Sequence, residues 1–513
     1  MAEQLLTTTI QAPGFMGLNL QDSSVSLDNG FATVAQNCVI DKFGRVGARK
    51  GWEPAHSELA ALTGGTIRAI GELIDNAGTS YVIAAGNNKI FKLAGSTLTE
   101  LTYGGGGTAP TISADNWQMA ALNGVLYLYQ VGHEPLLFEP AVSSTTYKRI
   151  SEKTGYLGTV QNANCAISAY GRIWSANTSV DKNTVQFSDL LAGHVLSTGT
   201  SGTLDISRIW PNGADEIVAL AAHNGYLMIF GRRQILIYSN AQDPAGLTLS
   251  DTITGVGCIA RDSVVVTGGD VLFLSDTGVR SLMRTIQEKS APMREVSLNV
   301  KDQLNEDVSY ETASEIKAVY SDVDAFYLLS LPTANIVYCF DMRTQLQNGA
   351  SRVTTWTAIR PYAFCYTRNK ELLLGEENFI GKYKNFLDNT ATYRVKYYTN
   401  YFDFQQPTTV KILKKINATF VGGNGANVIV KYGFDYSPSY LSRKITLGDT
   451  TIAEYGIAEY GIGEYTAGVV FDNKKIQASG SGNVLQIGIE TDINGFEISL
   501  QKLDCYVKAG RVR

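Results

Sequence analysis

The sequence has few of the residues that build metal centres or disulfide scaffolds. It contains only four histidines, no pair of them spaced by four residues, and no H-E-x-x-H motif. Its six cysteines are far apart and include no C-x-x-C pair. Most of them lie in apolar, strand-like surroundings such as IVYCF, where cysteine acts as a small buried hydrophobe. We therefore expect free thiols, synthesis in a reducing compartment, and neither a metal site nor a cofactor.

Long apolar runs and a strong charge of one sign are also lacking. No run approaches the length that crosses a bilayer, and the opening residues MAEQLLTTTIQAPGF do not have the pattern of a secretory signal. The net charge is −5, with 43 basic and 48 acidic residues interspersed and no basic tail. We expect a soluble chain without a membrane span that does not grip nucleic-acid phosphates.

What the sequence does have is 50 glycines, 27 tyrosines and a repeating strand–turn–strand unit. Asn123-Gly124 and Asn224-Gly225 are strong hairpin signals, because both central residues of a type I′ turn need positive φ. The first turns of successive units are 45 to 54 residues apart, at Gly78, Gly124, Gly171, Gly225, Asp270, Asp324 and Lys370. Four-stranded propeller blades repeat at about 40–50 residues. The sequence therefore predicts an all-β fold with a six- or seven-bladed β-propeller.

The repeat divides the chain into three parts. Residues 1–65 form an N-terminal hairpin segment that can close the propeller, and residues 66–388 form the propeller itself. Helical spacing of apolar residues within 284–317 predicts a short surface helix between blades. From residue 389 to 513 the period stops and alternating strands predict a β-sandwich or barrel domain.

The C-terminal domain contains the repeat IAEYGIAEYGIGEY at residues 452–465. A strand alternates faces every two residues, so a period of five would place successive glutamates on opposite sides. The glycines argue against a helix. We interpret the segment as an acidic, aromatic loop that projects from the sheet domain.

No motif assembles a catalytic site. YGGGGT lacks the Lys-Ser/Thr pair of a phosphate-binding loop, and the partial Asp-box SDTGVRSL at 275–282 does not recur. Nothing singles out a carboxylate pair of the kind that glycosidases use. The five tryptophans are more typical of packing between blades than of a sugar platform. We expect no enzyme.

Four segments, at 17–52, 215–240, 268–285 and 478–505, carry a resemblance to a known family. They include DEIVALAAHNGYLMIFGRRQILIYSN, GGDVLFLSDTGVRSLMRT and ASGSGNVLQIGIETDINGFEISLQKLDC. The chain resembles the tail hub or nozzle proteins of short-tailed bacteriophages. The resemblance implies a structural virion protein in a six-fold ring below the portal and adaptor, assembled in the host cytoplasm. It also implies that genomic DNA passes through without specific binding and that tail fibres or spikes dock outside.

On that implication the acidic loop is a candidate for lining or gating the channel. A ring of six would carry about eighteen of its carboxylates, which repel phosphates and let DNA slide. The candidate gating residues are Glu454, Tyr455, Glu459, Tyr460, Glu464 and Tyr465. The alternative for the loop is an outward surface loop without a special role. The alternatives for the protein are a glycan- or receptor-binding propeller and a propeller glycosidase.

Overall fold

The computed structural model describes residues 5–24, 26–112, 117–282, 295–448 and 471–512. The fold is built almost entirely of β-strands, which confirms the all-β prediction. Six short strands precede the propeller: β1 (Leu5–Gln11), β2 (Gly17–Leu18), β3 (Phe31–Gln36), β4 (Cys38–Ile40), β5 (Val46–Ala48) and β6 (Trp52–Pro54).

Seven sheets follow one another around a propeller axis. The first two blades contain β7 (Ile67–Ile74), β8 (Ser80–Gly86), β9 (Lys89–Ala94), β10 (Thr97–Glu100), β11 (Thr102–Tyr103), β12 (Gln118–Leu122), β13 (Val125–Tyr129), β14 (Leu136–Phe138) and β15 (Thr146–Arg149). The third and fourth contain β16 (Ala163–Ala169), β17 (Arg172–Thr178), β18 (Thr184–Phe187), β19 (Gly202–Asp205), β20 (Ile217–His223), β21 (Tyr226–Gly231), β22 (Gln234–Ser239) and β23 (Thr248–Thr254). The remaining three contain β24 (Val265–Val266), β25 (Val271–Ser275), β26 (Gly278–Ser281), β27 (Lys317–Ser321), β28 (Phe326–Leu331), β29 (Ile336–Gln345), β30 (Ser351–Trp356), β31 (Ala363–Tyr366), β32 (Leu372–Gly375) and β33 (Ile380–Tyr383).

The first strands of the blades form the inner ring. In the order β7, β12, β16, β20, β24, β27 and β31, each contacts the next, and β31 contacts β7. Six of the seven blades contain four antiparallel strands each, and the fifth blade contains three among the residues described. The seventh borrows its fourth strand from the N-terminal segment, because β6 pairs with β33. The predicted six- or seven-bladed propeller is confirmed.

Tight turns and interblade packing explain why these segments form blades. The φ angle is 48° at Asn123 and 74° at Gly124, and it is 49° at Asn224 and 83° at Gly225. Both predicted hairpin turns are therefore present. Of the five tryptophans, four are buried in interblade clusters or at blade edges and one is half-buried, as their apolar surroundings indicated. These are Trp117, Trp174, Trp210, Trp356 and the half-buried Trp52.

Helices are short. Between the fifth and sixth blades, α1 (Lys301–Ser309) packs its buried Leu304 into the main core, and it occupies the later part of the predicted 284–317 helix segment. Single 3₁₀ turns occur at Ala60–Leu62, Ile150–Glu152, Pro244–Gly246, Arg261–Ser263 and Leu298–Val300. Within the described ranges no helix combines the length and the apolar character needed to span a bilayer.

The C-terminal strands form a two-sheet sandwich together with the N-terminal ones. They are β34 (Tyr393–Thr399), β35 (Thr409–Gly422), β36 (Asn427–Phe434), β37 (Leu441–Thr446), β38 (Phe471–Gln477), β39 (Ser481–Gly482), β40 (Leu485–Ile493) and β41 (Ile498–Val512). One sheet has the order β38-β35-β41-β5-β4, with β1 beside β41 and β39 beside β35. The other continues the sixth blade in the order β27-β28-β29-β30-β3-β34-β40-β36-β37, with β2 beside β3. Apolar side chains from both sheets fill the space between them.

Residues 1–65 are therefore shared between the two domains. Strands β1 to β5 belong to the sandwich sheets, and β6 belongs to the seventh blade. Strand β1 pairs with β41 along its whole length, from Leu5 opposite Lys508 to Gln11 opposite Lys502. The first and the last strands of the described residues thus lie side by side in one sheet.

A buried arginine fixes the junction of the two domains. The Arg49 side chain is fully buried, and its guanidinium donates to both carboxylate oxygens of Asp388 at 2.8 and 2.6 Å. It also donates to Asn37 Oδ1 at 3.1 Å and lies over the ring of Tyr393 at 4.1 Å. The fork of the guanidinium suits this bidentate geometry, which connects the N-terminal segment to the chain just beyond the propeller.

Candidate functional site

All the candidate gating residues lie outside the described residues. These are Glu454, Tyr455, Glu459, Tyr460, Glu464 and Tyr465. The structure does describe the two strands between which they lie in the sequence. Strand β37 is the last strand of the larger sandwich sheet, and β38 is the first strand of the smaller one. The acidic segment therefore connects the edges of the two sheets.

Residues on either side of the stretch 449–470, which contains the acidic segment, are in contact at the sandwich edge. The Gly448 amide donates to Asp472 Oδ2 at 2.7 Å, although the two residues are 24 positions apart. Leu447 is buried, and its amide donates to the Ala426 carbonyl at 2.9 Å. Lys474 Nζ lies 3.0 Å from the same Asp472 oxygen and holds the carboxylate in place. The chain therefore leaves β37 and enters β38 at points that are in direct contact.

These two strands carry basic side chains. Arg443 and Lys444 are exposed on β37, and Lys475 is exposed on β38 next to the half-buried Lys474. The acidic segment is thus flanked at both ends by positive charge.

A second group of charged residues meets at the propeller axis. A cavity of about 210 Å³ lies where the first strands of the blades begin. Arg68 on β7, Arg261 and Asp262 on the 3₁₀ turn of the fifth blade, and Lys317 on β27 line it. We call this the axial cavity. Apolar and amide side chains complete its wall: Ala69, Ile70, Trp117, Gln118, Met119, Val264, Ala318, Ala363 and Phe364.

One carboxylate in the axial cavity serves two cations. Arg261 donates from Nε to Asp262 Oδ1 and from Nη2 to Oδ2, both at 2.7 Å. Lys317 Nζ donates to the same Oδ2. Arg261 also donates from Nη1 to the Asn164 carbonyl at 2.5 Å, which ties the fifth blade to the third across the axis.

The ionisation of this group follows from its burial and its neighbours. Burial raises the pKa of the Asp262 carboxyl, but the positive charges of Arg261 and Lys317 outweigh it and hold that pKa well below its usual range. Burial lowers the pKa of the Lys317 ammonium; Asp262 opposes this effect, and the positive charge of Arg261 adds to it. The trio is a charged cluster with no free carboxylate oxygen.

Arg68 lines the axial cavity from the first blade. Its Nη1 lies 2.6 Å from Glu315 Oε1, and its guanidinium lies 4.8 Å from the centre of the Tyr362 ring. Both side chains of the ion pair are partly exposed, at 25% and 31%, so solvent reaches this part of the cavity.

The chemistry of these sites is electrostatic. In the described part of the chain, no cluster of three or more histidine, cysteine or acidic side chains has metal-binding geometry. All six cysteines are described; five are buried and Cys365 is half-buried, and none is paired in a disulfide. Burial raises the pKa of Cys165, Cys258 and Cys365 to about 12, which keeps these thiols protonated.

Only one feature of the sequence could have indicated the axial cluster. Arg68 and Lys317 are separated by most of the propeller, and only the ring closure brings them to one cavity. The adjacent Arg261-Asp262 pair, set between the apolar residues GCIA and the strand SVVV, is the signal that could have marked it. A charged pair in such surroundings is rare unless its charges are mutually satisfied.

Comparisons with known proteins give low similarities. No family model matches the chain, and no curated protein matches it. Among solved structures, PorZ, a surface component of the type-IX secretion system of Porphyromonas gingivalis, is 12% identical with a TM-score of 0.37; the match covers 64% of this chain and 37% of PorZ. The Pan2 WD40 domain of Neurospora crassa is 10% identical with a TM-score of 0.38, covering 67% of this chain and 97% of that domain.

A third solved structure, YCF48 bound to D1 peptide, is 11% identical with a TM-score of 0.35, and the match covers 66% of this chain and 97% of that one. This chain thus spans little more than a third of the length of PorZ. Likenesses at this level carry no argument for function. The propeller assignment rests on the strand pairing of this chain itself.

Proposed function

We propose that this protein is a structural subunit of the tail of a short-tailed bacteriophage, of the nozzle or hub type. In this proposal six copies form a ring below the portal and adaptor, retain the packaged DNA and let it pass on infection. Fibres or spikes attach to the outer face. The proposal includes no catalytic reaction, and it takes its starting point from the resemblance of the segments at 17–52, 215–240, 268–285 and 478–505.

The observation that carries the proposal is the sheet that continues from the sixth blade into the sandwich. Strand β3 lies between β30 of the propeller and β34 of the sandwich, so backbone hydrogen bonds join the two domains. The bidentate Arg49–Asp388 pair adds a second connection at the same junction. Domains joined only by a linker move relative to each other by default, whereas these two are joined by backbone hydrogen bonds and a buried ion pair. A conduit under the pressure of packaged DNA requires such a body.

The acidic, aromatic repeat itself supports a role in the channel. Gly448 and Asp472, which lie on either side of it in the sequence, are joined by a hydrogen bond at the sandwich. A ring interface repeated through a closing rotation multiplies any element that faces its axis. With the segment at the axis, the ring carries about eighteen carboxylates along the path of the DNA, and these repel the phosphates.

The ring is tested by native mass spectrometry and electron microscopy of the purified chain, alone and mixed with the adaptor of the same particle. We expect a closed ring of about six copies, because heterologous interfaces that close make rings of fixed number. A chain that remains monomeric under both conditions, at every concentration up to tens of micromolar, would contradict the proposal.

The channel role is tested by particles that carry three glutamine substitutions in the acidic segment. We expect slower DNA ejection, because neutral walls allow transient contacts with phosphate. The matched control removes the same number of charges from exposed positions outside the acidic segment and should eject at the normal rate. The test variant is Glu454→Gln with Glu459→Gln and Glu464→Gln, and the control is Glu58→Gln with Glu100→Gln and Glu371→Gln. Equal rates for the two variants would refute the channel role.

A glycan- or receptor-binding propeller is the second candidate. The polar axial cavity favours it, because propellers offer their axis as a concave site with converging side chains. A glycan array separates the two functions. Saturable binding of one glycan class by the isolated monomer would favour the second candidate, whereas the nozzle proposal expects no glycan binding.

A further inference from the structure

The axial cavity has more positive than negative charge on its wall. Arg68, Arg261 and Lys317 face one lining carboxylate, that of Asp262. When Glu315, the partner of Arg68, is added, the group still carries three positive charges against two negative ones. The axial group therefore has an excess of one positive charge, although the net charge of the whole chain is −5.

This excess lies where water shields it poorly. The Arg261 and Lys317 residues are only 6% and 7% exposed. Both oxygens of Asp262 accept hydrogen bonds from these two cations, so one carboxylate is shared between two buried positive charges. Buried charges are costly unless they are compensated, and this buried trio carries two positive charges and one negative charge. Arg68, which is paired with Glu315, lies on the solvent-accessible side of the same cavity.

The geometry of Arg68 suits an oxyanion. Its guanidinium is held against the Tyr362 ring at 4.8 Å and keeps one ion pair with Glu315. A guanidinium has five donors in a rigid fork, so one carboxylate leaves donors for a second acceptor. Gln118 also lines the cavity, and its Oε1 accepts from the Ala166 amide at 2.6 Å, which fixes the orientation of its amide group.

We propose that the axial cavity is a binding site for a small multivalent oxyanion of the phosphate or polycarboxylate class, held between Arg68 and Lys317. The anion neutralises the excess charge and bridges the first and sixth blades, which are not neighbours in the ring. The site is independent of the proposed tail function, since it depends only on the propeller and not on assembly. A cavity of about 210 Å³ accommodates an anion of this size together with water.

The test is isothermal titration of the full chain with inorganic phosphate and with citrate. The buffer is free of both, and sodium chloride keeps the ionic strength constant so that general screening does not contribute. We expect saturable binding of one anion per chain, together with a rise in melting temperature. The absence of saturable heat and of any melting shift with both anions in the millimolar range would overturn the proposal.

Two substitutions of the same ion pair should act in opposite directions. Arg68→Gln removes a donor to the anion and should weaken binding about tenfold or more. Glu315→Gln removes the competing carboxylate and should strengthen binding severalfold. Loss of the ion pair itself is common to both variants, so a purely structural effect would change binding in the same direction in each. Changes in the same direction would overturn the assignment.

Another ion pair of the first blade supplies the matched controls. Lys89 and Glu100 form a surface pair at 2.8 Å with both side chains more than a third exposed. Lys89→Gln and Glu100→Gln should leave anion affinity unchanged within about twofold, because exposed charges are screened. Circular dichroism and melting curves establish that each variant is folded. If Arg68→Gln does not fold, tighter binding by Glu315→Gln than by the wild type still supports the site, and equal or weaker binding overturns it.

Discussion

Glu376 is a buried acid at the junction between the first and seventh blades. The residue is 7% exposed, and its carbonyl accepts from the Ile67 amide at 3.2 Å. One carboxyl oxygen, Oε1, has no hydrogen-bond partner among the described residues. Burial raises the pKa of Glu376 to about 8; the backbone hydrogen bond from Arg360 opposes this, and the negative charge of Asp388 adds to it.

The direction of the pH dependence follows from this raised pKa. An acid whose pKa is higher in the folded than in the unfolded chain binds its proton more tightly when folded. Its contribution to stability is complete below an ordinary value of 4.5 and is lost as the pH rises to about 8. Each pKa unit corresponds to 1.36 kcal/mol, so the loss amounts to at most about 5 kcal/mol.

The substitution Glu376→Gln removes this loss, because an amide of the same shape does not ionise. The matched control is Glu377→Gln, since Glu377 is the exposed neighbour in the sequence. Melting temperatures of the wild type and both variants are compared from about pH 5 to about pH 9. At the acidic end the wild type and Glu376→Gln should melt at similar temperatures. At the alkaline end the variant should melt above the wild type, by up to about 5 °C.

Only the change of this difference with pH tests the reasoning. Other groups titrate in the same range, but they are common to both proteins and cancel in the comparison. A constant difference between wild type and Glu376→Gln over the whole range would refute the assignment of a raised pKa to this carboxyl. Glu377→Gln should follow the wild type at every pH.

Three further predictions concern the stability of the fold and the burial of its cysteines. Arg49→Met should lower the free energy of unfolding by about 3–5 kcal/mol because it leaves Asp388 buried without its partner, whereas Lys50→Met, at a side chain 41% exposed, should change it little; urea unfolding measures both. Gly225→Ala should cost about 1 kcal/mol or more because φ is +83° there, while Gly268→Ala, which meets no atom within 4 Å, should stay within about 0.5 kcal/mol; melting curves that rank the two in the reverse order would contradict this. A thiol reagent near pH 8 should react quickly with fewer than one thiol per chain on average in the native protein, and with all six after denaturation. Rapid reaction of several thiols in the native chain would contradict their burial.

The propeller could be predicted because its signals are local. Each blade repeats a hairpin whose turn needs residues such as Asn224-Gly225, and the spacing of the turns is the blade period. The sequence predicted that the N-terminal segment can close the propeller, but the Arg49 contacts and the particular strand that pairs with β33 could not be predicted. They join residues more than 300 positions apart, as in the pairing of Trp52 with Tyr383, and such contacts leave no local pattern.

The same reason explains why the sequence did not reveal that residues 1–65 contribute to both domains, or that the axial cavity forms. Leu5 lies opposite Lys508, so the partner of β1 is at the other end of the chain. Arg68, Arg261 and Lys317 begin in three different blades and meet only because the ring closes. The acidic segment at 452–465 is conspicuous in the sequence, and the structure adds the hydrogen bond between Gly448 and Asp472, which lie on either side of it.

The proposed function is tested most directly by locating the protein on intact phage particles with gold-labelled antibodies. The nozzle proposal predicts a single cluster of label at the tail vertex of each particle, below the portal. Particles that are infectious but carry no label at any vertex would contradict the proposal and leave the ligand-binding propeller as the better explanation.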